Sequence, residues 1–204
     1  MQIVKRALTK ELKYDNTVVL KYNIEYPEII EESSMASIRF NRYNKNLATN
    51  LQIKAENELY KEAVELYRYN KQNNYPIIAY EVYRTYEITL NTSEIISLYF
   101  DEYIFLGGAH GNTIRTSQTW NMMIARMIEL YELFRNPYFI QNIFKQIIIQ
   151  INTEKDIYFE EACCLVIETF NPKSFYLTPN YIAIYFQQYD IAPYASGIRT
   201  FIVR

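Results

Sequence analysis

Residues 105 to 112 read Phe-Leu-Gly-Gly-Ala-His-Gly-Asn, and they hold three of the four glycines and the only histidine of this 204-residue chain. Glycine reaches positive φ without steric cost, so such a cluster predicts a tight loop or a close approach of the backbone to another group. The runs 95–105 and 113–123 on either side favour β-strands. The loop is therefore predicted to be the tip of a β-hairpin.

Further strands and one long helix are predicted on the N-terminal side of this hairpin. Apolar and polar residues alternate through 17–26 and 77–90, which is typical of half-buried strands, and Pro27 is expected to end the first of them. Between these strands, residues 34–70 predict a long helix, because apolar side chains recur every four residues with polar ones between. This stripe consists of Leu47, Leu51, Ala55, Leu59, Ala63 and Tyr67. Ser33 or Ser34 is the expected N-cap.

The C-terminal part predicts helices followed by strands. Helices are expected over 126–134, 138–151 and 158–170, and strands over 175–178, 182–187 and 199–203. In the second helix the expected core-facing side chains are Ile140, Phe144, Ile147, Ile148 and Ile151. This order predicts an α+β fold, with a mainly antiparallel sheet packed by one long N-terminal helix and two or three C-terminal helices. We expect an N-terminal half at 1–112 and a C-terminal half at 113–204, together forming one compact unit.

Composition excludes several classes of function. The net charge of −2 and the pI near 5.6 argue against nucleic-acid binding. The sequence holds no apolar run of transmembrane length, and the first residues lack the apolar core of a secretion signal. The sequence as given therefore predicts a cytoplasmic protein. The cysteines Cys163 and Cys164 are adjacent, which does not fit a zinc site, and we expect them to be small core residues. No metal and no cofactor are predicted.

The glycine loop is the first candidate site, with Gly107, Gly108, His110, Gly111 and Asn112 as ligand-binding residues. His110 is also a weak candidate for a general base, because imidazole titrates near neutrality. The competing interpretation is a turn in which His110 caps backbone groups or packs on Trp120. A third is that the glycine N–H groups bind an anion. The loop lacks the Lys-Ser/Thr of a nucleotide-binding P-loop.

The second candidate site is the turn that contains Tyr189 and Tyr194. Aromatic rings beside a proline-stiffened turn can stack on sugars or insert into a protein partner. The alternative is a segment that fills the core before the last strand.

Together, four segments resemble a known pair of bacterial domains of unknown function. They are residues 103–112, 128–134, 175–180 and 189–197. The pair is found beside the catalytic domain of the peptidoglycan deacetylase PdaC and in the extracellular part of a lysozyme-sensing anti-sigma factor. The resemblance runs from about Leu20 to the C-terminus, with 1–112 similar to the PdaC-type accessory domain and 113–204 to its partner.

The resemblance implies a binding domain of the bacterial cell envelope, which would place it outside the cytoplasm. The metal-dependent chemistry of the deacetylase lies in a separate domain rich in Asp and His ligands, whereas this chain has one histidine. The favoured function is a non-catalytic module that binds a protein or a cell-wall glycan. The alternatives are a small hydrolase that uses His110 and a cytoplasmic stand-alone relative with an unrelated small ligand.

Overall fold

The computed structural model describes residues 1–30 and 34–204, which form a six-stranded sheet, a three-stranded sheet and their covering helices. The predicted α+β class is confirmed. The larger sheet has the order β1-β2-β3-β4-β5-β6 and the smaller β7-β8-β9. The strands are β1 Ile3–Tyr14, β2 Thr17–Ile29, β3 Tyr80–Asn91, β4 Ile95–Phe105, β5 Asn112–Asn121, β6 Arg126–Met127, β7 Phe175–Leu177, β8 Ile182–Phe186 and β9 Arg199–Val203. The helices are α1 Met35–Lys54, α2 Tyr60–Gln72, α3 Phe139–Thr153 and α4 Ala162–Thr169.

The packing of the chain divides it into two units. Unit 1 consists of Met1–Tyr86 and Asp101–Thr113, and unit 2 of Glu87–Phe100 and Ile114–Arg204. Each unit has its own hydrophobic core. The core of unit 1 lies between β2, β3 and the long helix, and that of unit 2 between α3, α4 and the small sheet.

The long N-terminal helix is continuous over 38 residues, from α1 through a π-helical turn at Ala55–Leu59 into α2. Ser34 caps it by accepting a hydrogen bond from the Ser37 amide at 3.1 Å, while the other candidate cap, Ser33, lies outside the described residues. The predicted stripe is buried at Leu51, Ala55, Leu59, Ala63 and Tyr67. An isolated helix is only marginally stable in water, so the burial of this stripe against β2 is the main source of the helix's stability.

The N-terminal sheet differs from the expectation in two ways. β2 and β3 pair in parallel, from Leu20–Tyr80 to Ile24–Arg84, and the long helix is the crossover that parallel pairing requires. Pro27 does not end β2, which continues to Ile29 and pairs with β1. The β2–β3 pairing covers only Leu20 to Ile24, so the missing N–H of Pro27 is not needed on that side.

β1 was not predicted from the sequence, because its side chains are mostly polar and none is fully buried. It is the first arm of a hairpin whose two turn residues, Asp15 and Asn16, both have positive φ. These are the residue types that a two-residue turn of this kind favours. Helix α2 holds the turn, since Tyr67 donates a hydrogen bond to the Asp15 carboxylate and Lys71 forms an ion pair with it.

A polar network links β1, β2 and the π-helical turn. The Glu56 carboxylate accepts hydrogen bonds from the Tyr22 hydroxyl at 2.7 Å and from the Lys10 ammonium at 3.0 Å. Gln52 donates to the Tyr22 oxygen at 3.0 Å. Burial and the adjacent carboxylate raise the pKa of Tyr22 to about 12, and the tyrosine hydrogen bond lowers the pKa of Glu56. The π-helical turn therefore places Glu56 where it joins the helix to two strands.

The segment 126–134 is not the predicted helix. It forms the short strand β6 and a 3-10 turn at Leu130–Leu133. Glu132 bonds back to the Glu129 amide at 2.7 Å and pairs with Arg126, which fixes a tight turn rather than a helix. The next two helices form as expected, as α3 and the shorter α4. The fully buried residues of α3 are Ile143, Ile147 and Ile151. The buried face therefore includes Ile143, which the predicted stripe lacked, and it leaves Ile140, Phe144 and Ile148 only partly buried.

Helix α3 closes the outer edge of the small sheet. The Gln146 side chain donates to the Arg204 carbonyl at 3.1 Å and accepts from the Arg204 amide at 3.0 Å. The Gln150 side chain makes the same pair of bonds with Ile202, at 2.8 and 3.1 Å. Two side-chain amides thus occupy the backbone groups through which another strand could join β9.

The opposite edge of the small sheet, β7, is also held by side chains of unit 2. Ser97 accepts from the Leu177 amide at 2.8 Å and Thr89 donates to the Leu177 carbonyl at 2.7 Å. Ser117 donates to the Phe175 carbonyl at 2.5 Å. Both edge strands of a three-stranded sheet are therefore satisfied without a further strand.

We predict that Tyr22→Phe lowers the free energy of unfolding at neutral pH by about 2 kcal/mol, because a hydrogen bond to a carboxylate is lost. The native pKa of Tyr22 lies above the unfolded value of 10.0, so its contribution is complete below pH 10 and is lost as the pH rises toward about 12. The deficit of the variant should therefore shrink over this range. Urea unfolding from pH 7 to 12 measures it, with Tyr69→Phe, an exposed tyrosine, as the control. A deficit that does not change with pH would contradict the assignment.

We predict that replacing Gln146 and Gln150 together by alanine lowers the free energy of unfolding by about 2 kcal/mol, because four hydrogen bonds to β9 are lost to water. Amide exchange at Ile202 and Arg204 should accelerate in the same variant. Gln141→Ala, which changes an exposed glutamine of the same helix, is the matched control. Equal effects of the double variant and the control would show that the edge contacts contribute nothing.

Candidate ligand-binding surfaces

The glycine–histidine loop lies in unit 1 between the end of β4 and the start of β5, as the sequence predicts. Gly107 has a φ of +77°, and a Cβ atom there would lie 3.0 Å from Leu66 Cδ2. A Cβ atom at Gly111 would lie 2.3 Å from a ring carbon of Tyr103. The fold therefore gives a structural reason for glycine at both positions.

Gly108 differs from its two neighbours in the loop. Its φ lies outside the left-handed region, and a Cβ atom there would meet no atom within 4 Å. Neither the backbone conformation nor the packing of unit 1 requires a glycine at this position. Because the structure does not explain this glycine, substitution of Gly108 is the most informative test for ligand binding by the loop.

His110 and Asn112 are both exposed. The Nδ1 atom of His110 lies 3.1 Å from the carbonyl oxygen of Gly111, which is a contact with the backbone of its own loop. Ser117, a hydroxyl residue of the strand that follows the loop, is bonded within unit 2 to the Phe175 carbonyl and to the Tyr185 hydroxyl, the latter at 3.1 Å. A hydroxyl held in this way is a poor nucleophile, because its proton is already shared with a structural acceptor.

The tyrosine turn lies in unit 2, between β8 and β9. Tyr189 has a φ of +68° and is 56% exposed, and its ring centroid lies 5.6 Å from that of the half-buried Tyr194. The turn is closed by the Asp190 carboxylate, which accepts from the Gln187 amide at 2.7 Å. Burial raises the pKa of Asp190, and the Gln187 hydrogen bond opposes that shift. A bulky side chain at positive φ is strained, and such strain often accompanies a functional role.

A cleft of about 410 Å³ adjoins this turn. Its lining includes Ile151, Lys155, Tyr158, Phe159 and Cys163. The wall of the cleft is tied to the tyrosine turn twice. The Phe159 amide donates to the Ile191 carbonyl at 3.1 Å, and the Ser196 hydroxyl donates to the Ile157 carbonyl at 3.0 Å. Two hydrogen bonds therefore link the turn to the segment that lines the cleft, and we call the turn and the cleft together the tyrosine–cleft surface.

Arg199 fixes the aromatic wall of this cleft. Its guanidinium carbon lies 5.2 Å from the Tyr158 ring centroid, and its Nη2 atom donates to the Tyr158 hydroxyl at 3.2 Å. Glu154 lies 3.6 Å from the same Arg199 nitrogen. Sequence reasoning did not single out Tyr158 or Arg199, because both stand near the ends of predicted elements and carry no motif.

The two cysteines have different surroundings. Cys163 is half-buried, packs against the core of unit 2 and lines the cleft, whereas Cys164 is exposed. The prediction that both are core residues is therefore wrong for Cys164, which lies on the solvent side of α4.

The structure brings the predicted site residues together in two groups. Gly107, Gly108, His110, Gly111 and Asn112 share one loop in unit 1, and Tyr189 pairs with Tyr194 in unit 2. Within residues 1–30 and 34–204, no group of three or more histidine, cysteine or acidic side chains could hold a metal ion. None of the helices in this part of the chain is long and apolar enough to cross a membrane.

We predict that alanine has different effects at the three loop glycines. Gly111→Ala should lower the free energy of unfolding by about 2 kcal/mol, because Tyr103 must move. Gly107→Ala should lower it by about 1 kcal/mol, because alanine is strained at positive φ. Gly108→Ala should be neutral or should stabilise by up to about 1 kcal/mol, because it only restricts the unfolded chain. Urea unfolding measures all three, and a loss at Gly108 equal to that at Gly111 would contradict this assignment.

Comparison with known proteins gives two family matches. Residues 14–113 match the family described as Deacetylase PdaC, and residues 131–204 match the protein family of unknown function DUF3298. No curated protein matches the chain.

Solved structures of DUF3298 family proteins have a similar fold. One, from Bacteroides fragilis, has 17% sequence identity and a TM-score of 0.69, and the match covers 99% of this chain and 89% of that protein. Another, from Pseudomonas aeruginosa, has 14% identity and a TM-score of 0.65, with 100% and 91% covered. At these identities the likeness concerns the fold alone. The predicted resemblance to the paired domains is confirmed: residues 14–113 are similar to the PdaC family and residues 131–204 to the DUF3298 family.

Proposed function

We propose that this protein is a non-catalytic binding module for a protein or a cell-wall glycan, and that the tyrosine–cleft surface is where the ligand binds. The observation that carries the proposal is the conformation of Tyr189. Its backbone is strained at a φ of +68°, yet its ring is more than half exposed beside Tyr194. Backbone strain that is not offset by burial of the side chain is expected at a position where the side chain contacts a ligand.

The chemistry of the surface suits an extended ligand with both apolar and polar groups. Tyr189 and Tyr194 offer ring surface with hydroxyl tips, and Tyr158 adds an aromatic ring to the lining of the cleft. Lys155 and Glu160 add charges of both signs. Sugars and protein loops are both recognised by aromatic rings with hydrogen-bonding groups at their rims.

The two family matches agree with the resemblance from which an envelope ligand is inferred. One matching family carries the name of a deacetylase, and the other is a family of unknown function. We propose that residues 1–112 and 113–204 are two domains. Each half carries one candidate surface, the glycine–histidine loop in the first and the tyrosine–cleft surface in the second. A binding role does not require chemistry at His110, whose Nδ1 atom contacts its own loop.

We predict that Tyr189→Gly separates stability from binding. Relief of the strained backbone should offset the lost ring contact, so the free energy of unfolding should change by less than about 1 kcal/mol. Affinity for the ligand should fall by about tenfold, because an aromatic contact is lost. The measurement is a thermal-shift and calorimetric titration of the intact chain with soluble peptidoglycan fragments and with lysozyme.

Tyr69→Ala is the matched control, because Tyr69 is 57% exposed and lies on helix α2 in unit 1. It should leave binding unchanged. A ligand whose affinity is insensitive to Tyr189→Gly but is reduced in Gly108→Ala or His110→Ala would move the site to the glycine–histidine loop. If neither the peptidoglycan fragments nor lysozyme binds saturably, the proposal of an envelope ligand of these two kinds is overturned.

A further inference from the structure

A second cleft of unit 2, of about 310 Å³, runs along helix α3 and has an apolar floor. Its floor includes Phe134, Phe139, Ile143 and Ile149. The two phenylalanine rings are stacked, with centroids 5.0 Å apart and planes 17° apart. Ile149 is 56% exposed, so the floor is open to solvent at this point. We call this cleft the α3 groove.

The lining of the α3 groove includes two cationic side chains. Lys145 and Arg204 both line it and both are exposed. Asn136, Asn142 and Gln146 provide neutral amides, and none of the described lining residues is acidic. The net charge of the whole chain is −2, so the Lys145 and Arg204 side chains carry a charge opposite in sign to that of the chain. A groove of this composition attracts carboxylates and suppresses the binding of cationic partners.

The β9 edge determines how a ligand can sit in the groove. Gln146 already holds both backbone groups of Arg204, and Gln150 holds those of Ile202. A strand therefore cannot be added at this edge unless the glutamines leave. A ligand is recognised instead by its side chains, apolar ones on the floor and charged ones at the rim.

We propose that the α3 groove docks a short segment of a partner protein that carries carboxylates beside large apolar side chains. A glycan fits less well, because Phe134 and Phe139 each cover one face of the other ring. A membrane surface fits less well too, because the apolar side chains form a concave floor rather than a protruding patch. This proposal is independent of the tyrosine–cleft surface, since it uses other residues.

The test is a fluorescence anisotropy titration of a short labelled peptide with the full chain. The peptide alternates Glu-Glu with Phe-Leu, and a companion peptide replaces each glutamate by lysine. We expect saturable binding of the acidic peptide and at least about tenfold weaker binding of the basic one. Lys145→Glu and Arg204→Glu should each weaken binding of the acidic peptide by about tenfold and reduce its dependence on salt.

Two further variants keep the test specific. Lys45→Glu makes the same change in net charge at an exposed position of α1, and it should leave binding unchanged. Ile149→Ser alters an exposed floor residue without emptying the core, and it should weaken binding. Equal binding of the two peptides, or equal effects of Lys45→Glu and Lys145→Glu, would overturn the proposal. So would binding of vesicles of anionic phospholipid in the absence of peptide binding.

Discussion

Side-chain hydrogen bonds at both edges of the small sheet hold the C-terminal half of this protein together. A sheet of three strands leaves two rows of backbone groups without partners, and each buried one would cost free energy. Gln146 and Gln150 satisfy one row, and Ser97, Thr89 and Ser117 satisfy the other. The glutamine pairing depends on geometry, because four residues of a helix advance about 6 Å and two residues of a strand advance about 6.6 Å. Residues four apart in α3 therefore match residues two apart in β9.

The same contacts fix the surfaces on which function is proposed. Helix α3 is held against β9 by its glutamines, and side chains of the same helix line both clefts: Ile151 lines one, and Lys145, Gln146 and Ile149 line the other. The tyrosine turn enters β9 through Gly197, whose φ is +65°. Rigid support of this kind limits the entropy that a ligand must remove on binding.

In unit 1, the structure explains part of the unusual glycine cluster at residues 107–111. Gly107 and Gly111 are required by backbone conformation and by the Tyr103 ring, respectively, so two of the three loop glycines need no ligand to explain them. Gly108 and the exposed His110 remain without such a requirement. In the long helix, the π-helical turn places Glu56 beside Tyr22 and Lys10, which a regular helical phase would not be expected to do.

The sequence by itself determined the α+β class, the long helix with its buried stripe, the glycine hairpin loop, α3, the last strands and the paired-domain resemblance. These features rest on local periodicity or on motifs, which can be recognised without knowledge of the tertiary contacts. Tertiary structure alone decided that β1 joins β2, that β2 and β3 are parallel, that β2 continues past Pro27, and that 126–134 forms a strand and a turn. It also decided that Tyr158 lines one cleft with Arg199 against its ring, and that Lys145 and Arg204 both line another. The physical reason is that strand pairing and clefts join residues far apart in the chain, and no local pattern records which distant partner satisfies a given backbone or side-chain group.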